Sequence, residues 1–116
     1  MNTADILDKA ADLIDVRGLA KKRHVDGKGC LCTAGAMFCA VGIEPVNDVF
    51  QTERWPTWNH ASGETIRRVF NWFTEWLVAS GTDDVDAVWW NDEPERTKEE
   101  VVSTLRAAAQ AARAES

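Results

Sequence analysis

The chain has 116 residues, 45% of them apolar, and carries a net charge of −6. That suits a single domain over residues 1–116, able to fold without disulfides or metal. No apolar run approaches the length of a membrane span, and residues 1–10 lack the basic start of a secretion signal. Nineteen acids against thirteen bases argue against wholesale nucleic-acid binding and leave room for a local basic patch.

The first element is a helix over residues 3–17. Ile6, Leu7, Ala10, Leu13 and Ile14 fall on one apolar stripe. Asn2 or Thr3 caps it, Asp5 suits the positive end of its dipole, and Gly18 stops it. Asp26-Gly27 then signals a β-hairpin, because both residues tolerate positive φ. Its arms are Lys21-Lys22-Arg23-His24-Val25 and Gly29-Cys30-Leu31-Cys32, and a ribbon so short must lie on the helices. Thr33 is expected to cap a second helix to about Val41, ended by Gly42. Gly35 and Ala36 would let another backbone come close.

Residues 43–60 read as irregular. Pro45 suits the start of a short helix, and Trp55-Pro56-Thr57-Trp58 reads as a tight aromatic turn. The third helix runs from about Asn59 or Ser62 to Ala79. Ile66, Val69, Phe70, Phe73 and Leu77 form its core face, widened by Trp72 and Trp76. An acidic connector leads to Ala87-Val88-Trp89-Trp90, expected as a short strand or extended tie. Thr97 and Glu100 form a capping box. Val101, Val102, Leu105, Ala108, Ala109 and Ala112 supply the last stripe. The expectation is a mainly α domain of three to four helices with a short β-hairpin between the first two.

Several residues invite chemistry. Cys30, Cys32, Cys39 and His24 are soft ligands, but C-x-C lacks the spacing of structural zinc pairs, so buried thiols acting as small hydrophobes are the better reading. An odd number of Cys with no export signal fits a reducing cytoplasm. His60 near Ser62 suits helix capping better than acyl transfer. Asp83, Asp84, Asp86, Asp92, Glu93 and Glu95 read as a solvated acidic face. No catalytic group, metal ligand set or cofactor is assigned. Arg17, Lys21, Lys22, Arg23 and Lys28 form a basic cluster on the hairpin that could track phosphates, or could simply protect a strand edge. No aromatic interleaves with these charges, so base stacking is absent.

The six Trp, with no Tyr, are the most unusual feature. Trp72, Trp76 and one of Trp89 or Trp90 are expected in the core. Trp55 and Trp58 flank Pro56 and are candidates for a contact surface, together with His60.

Trp90-Asn91-Asp92-Glu93-Pro94-Glu95-Arg96-Thr97, followed by Glu100-Val101, resembles a W-N-D-x-P-x-R-T-x-x-E-V signature of a small family of uncharacterised actinobacterial and phage proteins. Cys32, Gly35 and Ala36 match that family's C-x-x-G-A helix start, and Arg17-Gly18 matches its R-G helix end. The resemblance implies fold and origin and no chemistry. Sixteen Ala, with Arg and Asp favoured over Lys and Asn, are also the usage of a GC-rich coding sequence. In physical terms Trp90 anchors the connector, Asn91 or Asp92 makes a turn, Pro94 fixes the entry, and Thr97 with Glu100 caps the helix.

The favoured reading is a cytoplasmic, non-enzymatic protein that binds another protein, a host protein if phage-encoded, with self-association open. A nucleic-acid-associated regulator using residues 17–28 is the second reading, and a metal-dependent enzyme the third.

Overall fold

Helix α1 (Thr3–Arg17) starts at the Asn2 cap, whose side chain accepts from the Asp5 amide at 2.8 Å. It stops at Gly18, which adopts φ 99°. A Cβ there would also meet Cys30 Sγ at 2.8 Å, so both conformation and space require glycine. The computed structural model describes residues 2–42, 61–82 and 86–115, with backbone alone for 61–63. Among the described residues four more helices follow: α2 (Thr33–Ala40), α3 (Ala61–Ala79), α4 (Ala87–Asp92) and α5 (Lys98–Glu115).

Helix α1 is the central element. Its stripe of Ala4, Ile6, Leu7, Ala10, Ala11 and Ile14 is buried. Helix α5 lies along it with Val101, Leu105, Ala108 and Ala109 inward. The small alanines let the two backbones approach. Ion pairs along the seam show that the helices run antiparallel: Arg113 meets Asp8 near the start of α1, Arg106 meets Asp12 at 2.8 Å, and Lys98 meets Asp15 near its end. These pairs are largely exposed, so they mainly fix register and add little stability.

Helix α2 is apolar almost all round, and all of its residues but Cys39 are buried. It packs on α1 on one side and meets α3 and α4 on the other. Its cap is Cys32, whose Sγ accepts from the Gly35 amide at 3.3 Å. The expected cap, Thr33, is one residue further on and uses its hydroxyl elsewhere. Helix α3 buries Ile66, Val69, Phe73 and Leu77, and Gly81, at φ 100°, ends it. Trp76 stacks on Phe73, with ring centres 6.1 Å apart, and Trp72 stacks on Trp76 at the margin of the core.

Two expectations about local structure are corrected. No strand forms among the described residues. The expected hairpin shrinks to two isolated bridges, Leu19 with Leu31 and Val25 with Leu31. The turn itself is built by Asp26, whose carboxylate accepts from the Lys28 and Cys30 amides, both at 2.9 Å. Desolvation pushes that carboxyl up, but the two amides, together with the Cys30 thiol and the Lys28 ammonium, outweigh it and hold Asp26 below its ordinary value. The second correction is α4. Ala87 to Trp90 is neither strand nor tie, because Asp86 caps a helix there, its carboxylate accepting from the Trp89 amide at 3.0 Å. The count among the described residues is therefore five helices. The readings for Pro45 and for Trp55-Pro56-Thr57-Trp58 fall outside the described residues.

Candidate functional site

The W-N-D signature is where the fold is tied together. Trp90 is 4% exposed and meets Phe73 of α3 edge to face, with ring centres 5.5 Å apart. Its outer face carries the Arg96 guanidinium, 4.9 Å from the ring centre, and Arg96 Nε donates to the Trp90 carbonyl at 3.0 Å. This cation–π contact closes the corner between α4 and α5. Thr97 Oγ1 accepts from the Glu100 amide at 3.1 Å. The capping box is half formed, since the Glu100 carboxylate turns to Arg96 at 2.8 Å.

Asn91 does not make a turn. It sits at 2% exposure within the last turn of α4. Its Oδ1 accepts from the Thr33 amide at 2.9 Å and from the Thr33 hydroxyl at 2.7 Å. Its Nδ2 donates to the Ala20 carbonyl at 3.0 Å. These partners fix which end of the amide is oxygen, since an amide N–H must face an acceptor and a carbonyl must face a donor. One side chain thereby joins α4 to the start of α2 and to the segment after α1. Asp92 extends the tie by accepting from the Lys22 amide at 2.9 Å, and Lys22 is the one non-glycine residue with positive φ among those described, at 66°.

Burying Trp90 and Asn91 inward leaves Trp89 on the opposite side of the same helix. Its indole is 62% exposed. It stands in a concavity of about 600 Å³ lined by Lys22, Asp86, Val88, Trp89, Asp92, Glu93 and Pro94. The lining combines an apolar floor (Val88, Trp89, Pro94) with three carboxylates and one ammonium at the rim. Two adjacent Trp at about 100° per residue must point apart on a helix, so reading Asp86 as an N-cap would have marked one of them as outward.

The basic cluster does not assemble into one free patch. Arg17 Nε donates to the Gly29 carbonyl at 2.8 Å, and its Nη1 lies 3.7 Å from Cys39 Sγ. Lys21 Nζ donates to the Glu93 carbonyl at the end of α4. Both therefore hold the segment between α1 and α2 in place. Lys22, Arg23 and Lys28 are exposed. His24 is buried with its ring against Phe38, 5.4 Å between centres.

Cys30, Cys32 and Cys39 are all free thiols. Burial pushes the Cys32 thiol up to about 12 and raises Cys30 as well, there reinforced by Asp26. Neither is an activated nucleophile, which would need a lowered value. Among the described residues no group of three or more His, Cys, Asp and Glu stands where it could hold one metal ion. Trp55, Pro56, Trp58 and His60 lie outside the described residues.

A family model described as a family of unknown function, DUF6197, matches residues 1–111. No curated protein and no solved structure matches the chain. No helix among the described residues is long and apolar enough to cross a membrane.

Proposed function

This chain belongs to the DUF6197 family, and we propose that it is a non-enzymatic protein that works by binding another protein through the outer face of α4. The observation that carries this reading is Trp89. Trp89 is 62% exposed and stands outside the core cluster of the described residues, while its neighbour Trp90 lies within that cluster. Large, stiff aromatic rings with one N–H are the residues that most often dominate protein contacts. The ring also sits on a helix pinned at both ends, by Asp86 to its own first turn and by Asn91 to α2. A surface held this rigidly loses little freedom on docking.

The sequence Trp55-Pro56-Thr57-Trp58, with His60, is proposed as a further part of the contact surface on its residue types alone. The nucleic-acid reading draws no support from the site, because the carboxylates around Trp89 repel phosphate and two of the five cluster cations have structural contacts.

The test is Trp89→Ala. The variant is expected to melt within about 2 °C of the wild type, since surface changes usually stay within about 0.5 kcal/mol. A photo-reactive amino acid at position 88, which lines the same surface and leaves Trp89 in place, is expected to give a discrete protein adduct when expressed in the native cell. Trp89→Ala is expected to lose capture of that adduct's protein by about ten-fold or more. Undiminished capture by the folded variant refutes the reading.

A further inference from the structure

We infer that the α4 surface takes a basic segment of its partner, with an arginine guanidinium lying on the Trp89 indole between carboxylates. This inference rests on the proposed protein-binding role and adds the chemistry of the occupant.

Charge is the argument. Among the described residues, Asp86, Asp92 and Glu93 stand around the exposed ring, against one ammonium, that of Lys22. Lys21, a further described cation, has its Nζ on the Glu93 carbonyl, at the edge of the same surface. The carboxylates therefore outnumber the cations, on a protein whose net charge is −6. An indole face carries the negative side of its quadrupole outward, so it too favours a cation. Ring and carboxylates thus select the same sign of charge, with Trp89 within the six-residue helix and the carboxylates at its two ends.

The carboxylates are also held in place. Asp86 is fixed as the α4 cap, accepting from the Trp89 amide. Asp92 is fixed by the Lys22 amide at 2.9 Å and the Asn91 side-chain amide at 3.1 Å. Each of them keeps lone pairs beyond those bonds, since a carboxylate offers about four acceptor positions. A guanidinium is planar, stacks on aromatic faces and presents a fork of donors, whereas an ammonium is a compact, strongly hydrated point. The flat floor of Trp89 and Pro94 with oxygen acceptors at its edge fits the planar group. The same arrangement repels an acidic peptide or a phosphate backbone. A purely apolar helix would cover the floor but leave three carboxylates facing it, at the cost of their desolvation.

The test uses the full chain and hexa-arginine as probe, with hexa-citrulline as its neutral counterpart. The readouts are the indole N–H signals in a ¹⁵N–¹H NMR spectrum and the dissociation constant at low salt. The Trp89 signal, identified by its disappearance in Trp89→Ala, is expected to shift most with hexa-arginine and to stay in place with hexa-citrulline. Trp89→Ala is expected to weaken hexa-arginine binding about two- to five-fold, the worth of one exposed cation–π contact. Glu93→Lys is expected to weaken it more than Glu75→Lys, which makes the same change of net charge on the exposed side of α3.

Equal weakening by Glu93→Lys and Glu75→Lys, or a Trp89 signal that does not move, overturns the inference. The protein-binding role fails separately: if position 88 gives a partner adduct lost in Trp89→Ala while hexa-arginine ignores the ring, the role stands and only the cationic occupant is wrong. If hexa-arginine binds at Trp89 but no adduct forms in cells, the surface chemistry is right and the role is refuted.

Discussion

Removing the Asn91 side chain should be the most damaging single polar change in the described fold. Asn91→Ala orphans three groups at once: the Thr33 amide, the Thr33 hydroxyl and the Ala20 carbonyl. A buried polar group without a partner costs about 1–3 kcal/mol. Some relief comes from water entering the vacated space, so about 1 kcal/mol per group is a sensible floor and the total is about 3–4 kcal/mol. A domain of this length is worth only about 6–17 kcal/mol in all. The expected fall in melting temperature is roughly 12–15 °C, followed by far-ultraviolet circular dichroism and by urea titration. Asn91→Asp keeps the two acceptor contacts but turns an oxygen toward the Ala20 carbonyl, so it should be no milder than alanine. In a double-mutant cycle, Thr33→Val and Asn91→Ala should couple by about 1 kcal/mol or more, because they share partners. An Asn91→Ala variant within about 1 kcal/mol of wild type, with an unchanged denaturant slope, would refute the view that this node joins three parts of the chain.

Three further outcomes follow from the packing and the caps. Gly35→Ala should destabilise by at least about 2–3 kcal/mol, although glycine to alanine normally favours a helix by about 1 kcal/mol. The reversal arises because the new Cβ would lie 2.0 Å from the His24 carbonyl oxygen, and a neutral or stabilising result in urea titration sinks it. Thr97→Ala should cost about 1 kcal/mol through loss of its bond to the Glu100 amide, and an unshifted urea midpoint would contradict the cap. Cys32 should resist a maleimide reagent in the folded protein while the half-buried Cys30 and Cys39 react first. Its folded value of about 12 lies above the ordinary 9.0, so the unfolded chain loses this proton first. Its contribution to stability is intact below pH 9 and lost between pH 9 and 12. Urea titrations of Cys32→Ala should lack that share of the alkaline decline.

Helices with long stripes were legible because burial repeats at the helical period. The Ile6–Ile14 stripe and Gly18 bound α1 well, and of the two candidate caps, Asn2 and Thr3, the structure uses Asn2. The Ile66, Val69, Phe73 and Leu77 face of α3 is equally plain. Helix α4 was hidden because six residues hold too little periodicity, and because Asp86 looks like one more acid in a run of acids. Its cap role depends on where the chain turns. The hairpin failed for a different reason: Asp26 does make the turn, and the Asp26 and Cys32 amides bond across it to the Cys30 and His24 carbonyls, but Leu31 divides its pairing between Val25 and Leu19, so neither ladder extends past a single bridge. Thr33 Oγ and the Ala20 carbonyl meet Asn91 across 58 and 71 residues, a pairing no local pattern encodes. Trp89 could be marked as one of two alternatives in the core, but choosing between it and Trp90 needed the helix.

The pairing of α1 with α5 has a consequence for the chain as it is made. The stripe of Ile6, Leu7, Ala10 and Ile14 is covered mainly by α5, which leaves the ribosome well after α1, and Arg113 reaches Asp8 across 105 residues. At about 5–20 residues per second, α1 waits on the order of ten seconds for its partner. During that interval its apolar face is open to chaperones or to other nascent chains. Synthesis interrupted before Lys98 leaves a fragment with that face uncovered, so premature stops in this gene should yield aggregates rather than shortened domains.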